Sequence, residues 1–253
     1  MTSLVDYHVH LDLFQDHVSM LNRCEKKKIE IFTMTTTPLA WKKNCDLTVG
    51  FPRVRVGLGL HPQLVTERAH EVELFEKMVS QTYYVGEVGL DAGPRFYKGI
   101  SLQREVFLRV LKSSAQSGPK IFSIHSIRCA AKVMDCIEDT CGKRHDLGFV
   151  FHWFSGSKME VLRALEMGFY FSVNPMMLKS NSSRSVLRCI PINRLLTETD
   201  GPFVDKEPQR KFLPENLGDT IRDLAALYEI PSELLKTQIW KNTMRLESRL
   251  GKK

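Results

Sequence analysis

The sequence lacks several features that would assign it to a specialised class. Its six cysteines include no C-x-x-C pair, no apolar run approaches the roughly 20 residues needed to span a bilayer, and no apolar segment with a small-residue cleavage site opens the chain. We therefore expect reduced thiols, a cytoplasmic location and no membrane association. Cys136 and Cys141 in "CIEDTC" have no evident metal or disulfide partners, so we interpret their spacing as incidental.

Two further absences bear on the fold. No G-x-G-x-x-G or Walker-type loop follows the first predicted strand, which argues against a nucleotide-binding open sheet. No linker, low-complexity stretch or shift in composition divides the 253 residues, so we expect one domain over 1–253. The net charge of +7 mildly favours an anionic partner such as nucleic acid, although "CEKKK" and "LGKK" are equally consistent with solvated basic ends.

Eight short apolar or β-branched runs recur along the chain, and most gaps between them have the apolar spacing of amphipathic helices. The predicted strands cover residues 4–11, 29–37, 54–60, 83–90, 120–126, 148–154, 169–174 and 194–200. Helices are predicted at 63–79, at 101–118 with Ser101 as N-cap, and after the last strand at 210–230 and 232–250. This alternation predicts an α/β fold, a single closed (β/α)8 TIM barrel, with an open doubly wound sheet as the alternative.

The stretch "VDYHVHLDLF" at residues 5–14 alternates polar and apolar side chains. In a strand, this period puts Asp6, His8 and His10 on one face and Tyr7 and Val9 on the other. Polar residues also stand at or near the C-terminal ends of the other predicted strands: His61, Glu87, Asp91, His125, His152, Asn174, Glu198 and Asp200. These ends share one face of a barrel, so we expect the polar groups to converge there.

A buried cluster of this kind needs compensation, because each charged or imidazole group loses hydration at a cost of several kcal/mol unless it is paired or coordinated. Divalent cations supply it, and mixed imidazole and carboxylate ligands suit Zn, Mn, Fe or Co. The predicted ligands of one or two ions are His8, His10, Glu87, His125, His152 and Asp200. Glu87 would bridge two ions, and Glu198 would act directly or hold a neighbouring ligand in position.

Six segments resemble, in order and spacing, the signature segments of TatD-type metal-dependent DNases: "DYHVHLD", "GLGLHPQ", "VGEVGLD", "IHS", "FHWFSGS" and "LLTETDGPF". The resemblance covers nearly the whole chain and implies an amidohydrolase-like (β/α)8 hydrolase that cleaves phosphodiester bonds, typically at DNA ends, with Zn, Mn or Mg. It implies that His8 and His10 hold one metal and His125 and His152 the other. "TTTPLAW", "LHPQLV", "HWFSGS" and "FSVNPMML" are similar to the QatD-type branch, which implies anti-phage defence and other Qat subunits as partners.

Three departures from the family pattern concern substrate binding. Ile127 follows "HS" where the family usually has Arg, with Arg128 next, so a phosphate contact is displaced or lost. Lys211 and Phe212 stand where Arg and Asn are usual, which puts substrate anchoring there in doubt. Gln63 follows "HP" where many relatives carry a histidine, which narrows or shifts the phosphate site. None of the three touches the proposed ligands.

The reaction implied is metal-assisted hydrolysis, in which cations polarise the scissile phosphate, Asp200 steers or deprotonates the attacking water, and His61 donates to a phosphate oxygen. We predict catalytic roles for Asp200, Glu87 and His61, and substrate contacts by His61, Arg95, Lys98, Arg128 and Trp153. Arg95 and Lys98 flank two aromatic residues in "GPRFYKG", where a solvated loop is the plain alternative. For Trp153 the plain alternative is core packing.

Three rival functions stay open. An amidohydrolase acting on C–N or ester bonds shares the H-x-H barrel, although many of those enzymes bridge their metals with a carboxylated lysine where this chain has Glu87. A PHP-type phosphoesterase is also histidine-rich, but eight strand signals and "TETDGP" argue against it. A catalytically weak structural subunit of a defence complex is consistent with the altered "HSIR" and "RKFLP" segments.

Overall fold

The computed structural model describes residues 2–204 and 213–251. Within them lie eight strands, each overlapping the run predicted for it: β1 (Val5–Val9), β2 (Glu30–Met34), β3 (Val54–Gly57), β4 (Tyr84–Asp91), β5 (Lys120–Ile127), β6 (Leu147–His152), β7 (Tyr170–Val173) and β8 (Leu195–Thr197). The strands are rich in β-branched and aromatic residues, which pack well on a pleated surface. Most are buried along their whole length, as expected for a parallel sheet covered on both faces.

The strands form a closed parallel ring. β1, β2 and β3 pair in that order, and β4 to β8 pair in theirs. The N–H of Leu58 donates to the carbonyl of Tyr84 at 3.0 Å on one side, and the N–H of Asp200 donates to the carbonyl of His8 at 2.8 Å on the other. Neighbours in the ring follow chain order, unlike those in a doubly wound sheet, whose order reverses midway. The predicted TIM barrel is confirmed.

Helices cover the outside of the ring. In the described part of the chain the α-helices are α1 (His17–Lys26), α2 (Pro38–Leu47), α3 (Val65–Arg68), α4 (Val72–Met78), α5 (Ile100–Gln116), α6 (Ala130–Cys141), α7 (Lys158–Glu166), α8 (Asn181–Leu187), α9 (Leu217–Leu227) and α10 (Ser232–Glu247). Both predicted helices after the last strand are present as α9 and α10, although residues 205–212 lie outside the described range. No described helix combines the length and apolar character needed to cross a bilayer.

Two helix predictions need correction. Residues 63–79 do not form one helix, because the backbone leaves helical geometry at Arg68, where φ is −124°. The buried carboxylate of Glu71 accepts there from Arg68 at 2.7 Å and from the N–H of Leu39 at 3.4 Å, which separates α3 from α4. Helix α5 begins two residues earlier than an N-cap at Ser101 implies, because Gly99 is the N-cap residue.

The strict alternation predicted for residues 5–14 is also wrong in part. The pairing of β1 with β2 shifts register between Asp6 and Val9. The side chains of Tyr7 and His8 therefore do not point to strictly opposite faces of the strand. Tyr7 stacks on Phe32 with ring centroids 4.1 Å apart and belongs to the apolar cluster that fills the barrel beneath the polar groups. An apolar lower barrel and a polar upper end are therefore stacked along one axis.

Candidate metal centre

The six side chains predicted as metal ligands meet at the C-terminal end of the barrel. His8, Glu87 and His125 lie within β1, β4 and β5, whereas the other three stand at or just after the end of a strand. None exposes more than 6% of its surface: His8, His10, Glu87, His125, His152 and Asp200. The polar face of "VDYHVHLDLF" is therefore buried at its histidines and not in contact with bulk water. Buried imidazole and carboxylate groups persist only when they are paired or coordinated.

Glu87 stands at the centre of the cluster, and its two carboxylate oxygens face different histidines. Oε2 lies 3.3 Å from Nε2 of His8 and 3.4 Å from Nε2 of His10. Oε1 lies 2.6 Å from Nδ1 of His125 and 3.3 Å from Nε2 of His152. One carboxylate thus stands between the histidine pair of β1 and the histidines of β5 and β6, which is the arrangement a bridging ligand requires.

His8 on β1 and His10 just after it have the geometry of a metal-binding pair. Nε2 of His8 and Nε2 of His10 lie 3.1 Å apart, and both lie within 3.7 Å of Oδ1 of Asp200. Only one of two facing imidazole nitrogens can donate to the other when both rings are neutral, whereas both lone pairs can point at one cation. The donor chemistry of these three residues therefore fits a divalent ion.

Other groupings of ligand atoms lie close enough to hold an ion. Besides His8, His10 and Asp200, two further sets have all their ligand atoms within 4.8 Å of one another: His61 with Glu87 and His125, and His8 with His152 and Glu198. The predicted pairing of His125 with His152 is not among these sets, although both rings reach the same oxygen of Glu87 and their centroids lie 6.2 Å apart. That pairing stays a prediction.

A further residue orients each of three histidines from behind. Nδ1 of His8 lies 2.7 Å from Oγ of Ser123, Nε2 of His125 lies 2.9 Å from Oδ2 of Asp91, and Nδ1 of His152 lies 3.2 Å from both oxygens of Glu198. Such a contact fixes the tautomer and the direction of the ring, and it makes the opposite nitrogen a better ligand. Sequence reasoning missed Ser123 and assigned no role to Asp91.

The carboxylate of Glu198 is wholly buried and has four hydrogen-bond partners. It accepts from Nδ2 of Asn174 at 3.0 Å, from the N–H of Trp153 at 3.0 Å and from the hydroxyl of Ser172, in addition to His152. These donors hold the carboxylate rigidly against one ring, which supports the holding role left open for Glu198. Ser172 carried no sequence signal, whereas Asn174 stood at a strand end.

Asp6, which was expected to face inward with the histidines, lies instead at the seam of β1 and the segment after β8. Its oxygens accept from the hydroxyl of Thr199 at 2.6 Å and from the N–H of Thr199 at 3.0 Å. Burial raises the pKa of Asp6 to about 8, against the opposing effect of the Thr199 hydrogen bonds. The carboxyl group therefore closes the ring next to Asp200 and does not join the cluster around Glu87.

The protonation of the cluster follows from crowding one carboxylate among several imidazoles. Burial alone would raise the pKa of Glu87, but the surrounding histidines hold it well below its usual range, His61 and His152 through their charge. Burial and the charge of His152 lower the pKa of His8. Burial also opposes protonation of His10, but hydrogen bonds to carboxylates outweigh it and raise its pKa to about 9. The site thus concentrates negative charge on Glu87, where a cation is best received.

His61, predicted as a catalytic and substrate-binding residue, lies at the edge of this cluster. Its Nε2 lies 3.1 Å from Oε1 of Glu87, and its Nδ1 accepts from the N–H of Gln63 at 3.2 Å. Because Nδ1 accepts, a neutral ring carries its proton on Nε2. His61 is therefore set up as a hydrogen-bond donor, and not as a ligand through Nε2, despite its proximity to Glu87 and His125.

A cleft of about 690 Å³ opens above the cluster, lined at its floor by Glu87, His125, His152 and Asp200. Of the predicted substrate contacts, His61 and Trp153 line this cleft. Arg95, Lys98 and Arg128 are exposed and lie outside the residues that line it, so the structure does not bring them to the cleft. The segment "RKFLP", with Lys211 and Phe212, falls on residues outside the described range.

Comparison with known proteins places this geometry in context. The model of the family described as TatD related DNase matches residues 5–248. Human deoxyribonuclease TATDN3 is 24% identical over 268 residues, which cover 98% of this chain and 95% of that protein. A metal-dependent hydrolase of Buchnera aphidicola is 27% identical over 261 residues, 96% of this chain and 95% of that one. The crystal structure of YJJV, a TatD homologue from Escherichia coli K12, has a TM-score of 0.83 at 22% identity and covers 96% of this chain and 97% of its own.

Proposed function

This chain belongs to the TatD-related DNase family and is a metal-dependent hydrolase, and from that premise we propose that it hydrolyses phosphodiester bonds in DNA. The observation that carries the proposal is the position of Glu87, with one oxygen toward His8 and His10 and the other toward His125 and His152. The deoxyribonuclease activity named for the human relative supports the substrate class.

The ligands proposed for one or two divalent ions are His8, His10, Glu87, His125, His152 and Asp200. When bound, such ions polarise the phosphate and make a water molecule nucleophilic at neutral pH. Mixed imidazole and carboxylate donors favour Zn or Mn over Mg, which prefers oxygen ligands. The contacts from Ser123, Asp91 and Glu198 keep the rings directed at the common centre.

Asp200 and His61 act on protons in this proposal. Oδ1 of Asp200 faces the centre from the end of β8, where it orients the attacking water and accepts its proton. Asp200 also has a left-handed backbone conformation, with φ of 49°, which aims its side chain into the cleft. His61 donates from Nε2 to a phosphate oxygen, as the acceptor role of its Nδ1 requires.

Three finer proposals extend this function. We propose cleavage from DNA ends, which the sequence resemblance to the TatD-type segments supports. We also propose a role in anti-phage defence with Qat subunits, which the resemblance to the QatD-type segments supports. We also propose a cytoplasmic location, supported by cysteines such as Cys129, Cys136 and Cys141 that are buried thiols, whose pKa burial raises above its ordinary value. A thiol of that kind persists most readily in a reducing compartment.

Comparing substrates across metals tests the proposal. The purified protein, with its metal content measured, is assayed on DNA oligonucleotides, small phosphate monoesters and dipeptides with Zn, Mn or Mg. We expect turnover of oligonucleotides, and preferential hydrolysis of dipeptides or monoesters would overturn the proposal in favour of an amidohydrolase or a PHP-type enzyme.

Substitution of Asp200 separates chemistry from binding. We expect Asp200→Asn to lower kcat by roughly 10²- to 10⁴-fold while oligonucleotide binding is retained. The exposed His145 provides a matched control, since His145→Ala changes a histidine far from the cluster. Full activity in Asp200→Asn would contradict the role, and metal content without hydrolysis of any substrate in the wild type would favour the structural subunit.

A further inference from the structure

The cleft above the cluster has an apolar rim. Leu13 is 45% exposed, Ile127 is 37% exposed and Phe203 is 55% exposed, and all three line the cleft together with the half-buried Trp153. Large exposed apolar side chains gathered around a concave site mark a surface that binds a ligand. Among described residues the lining includes no lysine or arginine.

The four rim residues come from separate parts of the ring. Leu13 ends the short helix after β1, Ile127 is the last residue of β5, Trp153 follows β6, and Phe203 lies just beyond β8. Arg128, the neighbour of Ile127, has a φ of 56° and is exposed outside the lining, so β5 presents an apolar side chain to the cleft and a cationic one elsewhere. Apolar character at the rim is therefore a property of several strand ends and not of one loop.

Two rim aromatics touch the reactive floor. The ring of Phe203 meets that of His10 edge-on with centroids 5.0 Å apart, and the ring of Trp153 meets that of His152 edge-on at 6.4 Å. The backbone N–H of Trp153 donates to Glu198. This bond holds the backbone of Trp153 in a left-handed conformation that a bulky residue rarely adopts. The rim aromatics therefore lie next to the histidines of the floor, where a substituent of a bound phosphate would be placed.

We propose that this rim, with Ile127 and Phe203 as its specificity-determining residues, receives the nucleobase of the nucleotide whose phosphate is cleaved. The inference rests on the proposed function, because it names what the same cleft accepts beside the scissile group. A second phosphate at this position would lose its hydration against carbon atoms, with no lysine or arginine among the described lining residues to pair with it. The uncharged ring of a nucleobase gains stacking and apolar contact there.

Two diesters with the same 4-nitrophenolate leaving group test the proposal. We compare kcat/KM for thymidine 5′-(4-nitrophenyl) phosphate with that for methyl 4-nitrophenyl phosphate, and expect the wild type to prefer the thymidine diester by roughly tenfold or more. Phe203→Ala and Ile127→Ser should each lower this preference several-fold. Leu162→Ala on α7, an apolar residue 48% exposed and away from the cleft, should leave the preference intact.

A binding measurement on the metal-loaded protein provides a readout that does not depend on turnover. Thymidine 5′-monophosphate should quench tryptophan fluorescence more strongly than ribose 5-phosphate, and Trp153→Phe should remove most of that difference.

The outcomes distinguish the two proposals. Hydrolysis of both diesters with a preference unaffected by Phe203→Ala and Ile127→Ser would overturn the aromatic rim and leave the proposed function standing. Hydrolysis of neither diester with any metal would overturn the proposed function. The fluorescence measurement would then be the only test of the rim as a binding surface. Equal quenching by the two monophosphates would overturn the rim.

Discussion

The side chain of Gln63 donates from Nε2 to Oδ2 of Asp91 at 2.7 Å, and the same carboxylate oxygen lies 2.9 Å from Nε2 of His125. The backbone N–H of Gln63 donates to Nδ1 of His61. One residue therefore supports two histidines of the candidate site, through its side chain for His125 and through its main chain for His61.

We predict that Gln63→Ala weakens turnover without removing metal. The substitution deletes one hydrogen bond to Asp91, and a bond of this kind contributes about 1 kcal/mol. Looser orientation of His125 should therefore lower kcat by roughly fivefold, while the main-chain contact to His61 persists. Steady-state kinetics and metal analysis check the prediction. Gln116→Ala at the exposed end of α5 is the control, and loss of metal in Gln63→Ala would contradict a purely orienting role.

Metal removal should lower stability as well as activity. Without a cation, five histidines remain crowded around the buried carboxylate of Glu87. A ligand at a thousand times its Kd stabilises the folded state by about 4 kcal/mol, so chelation should lower Tm by roughly 10 °C in a chain of this size. Scanning calorimetry before and after chelation, and after metal is restored, measures the shift.

The control for metal removal is a histidine that lies outside the cluster. His145→Ala should show the same chelation shift as the wild type, because His145 is exposed after α6. His10→Ala should show a smaller shift, because it removes one proposed ligand. An identical Tm with and without metal in the wild type would argue against a site that is coupled to folding.

The barrel and most of the polar floor could be predicted from sequence, because both follow from local rules. Strand period, helix spacing and a polar residue at each strand end are written within a few neighbouring positions. The features missed depend on contacts between distant segments. Gln63 meets Asp91 and Thr199 meets Asp6 only once the ring has closed. The break after Arg68 likewise depends on a contact with α2, which no periodicity contains.

Residues at the rim of the cleft are harder to predict from sequence than buried polar residues at its floor. A ligand must be buried and polar, which is a combination that sequence context reveals, whereas a rim residue need only be near an opening. Arg95 and Lys98 are exposed and are not among the residues that line the cleft, while Phe203 and Leu13 are. Charge and aromatic content alone could not separate these cases.

Asn242 should be important for stability. Its Nδ2 donates to the carbonyls of Ile192 and Leu195, both at 2.8 Å, and joins α10 to the start of β8. Asn242→Leu should lower the free energy of unfolding by about 3 kcal/mol, because two backbone acceptors lose a buried donor. Urea denaturation measures the change. Lys241→Ala, exposed on the same helix, should change it little, and an equal loss in both variants would contradict the account.

Glu160 should make one contribution to stability that depends on pH. Its carboxylate accepts from Ser157 at the start of α7 and from the N–H of Ala131 at the start of α6. Burial alone would raise the pKa of Glu160, but these hydrogen bonds outweigh burial and hold the pKa below its ordinary value of 4.5. The stabilisation is therefore fully present above about pH 4.5 and disappears as pH falls through the lower folded pKa.

The difference in Tm between wild type and Glu160→Gln, measured from pH 7 to pH 3, tests this sign. The difference should be constant near neutrality and shrink in acid, as the wild-type carboxylate is protonated and comes to resemble the amide. Glu166→Gln, at the exposed end of α7, should show no such trend. A difference that grows in acid would contradict the assignment.

The seam between the first strand and the segment after the eighth has a consequence for biosynthesis. The main-chain carbonyl of His8 accepts from the N–H of Asp200 in the hydrogen bond that closes the ring. The side chains of His8 and Asp200 therefore come together only when β8 and the segment after it are in place. A ribosome must therefore extend the polypeptide by nearly two hundred residues before the first histidines meet their last acidic neighbour. The candidate metal centre is therefore completed only by residues synthesised late in the chain.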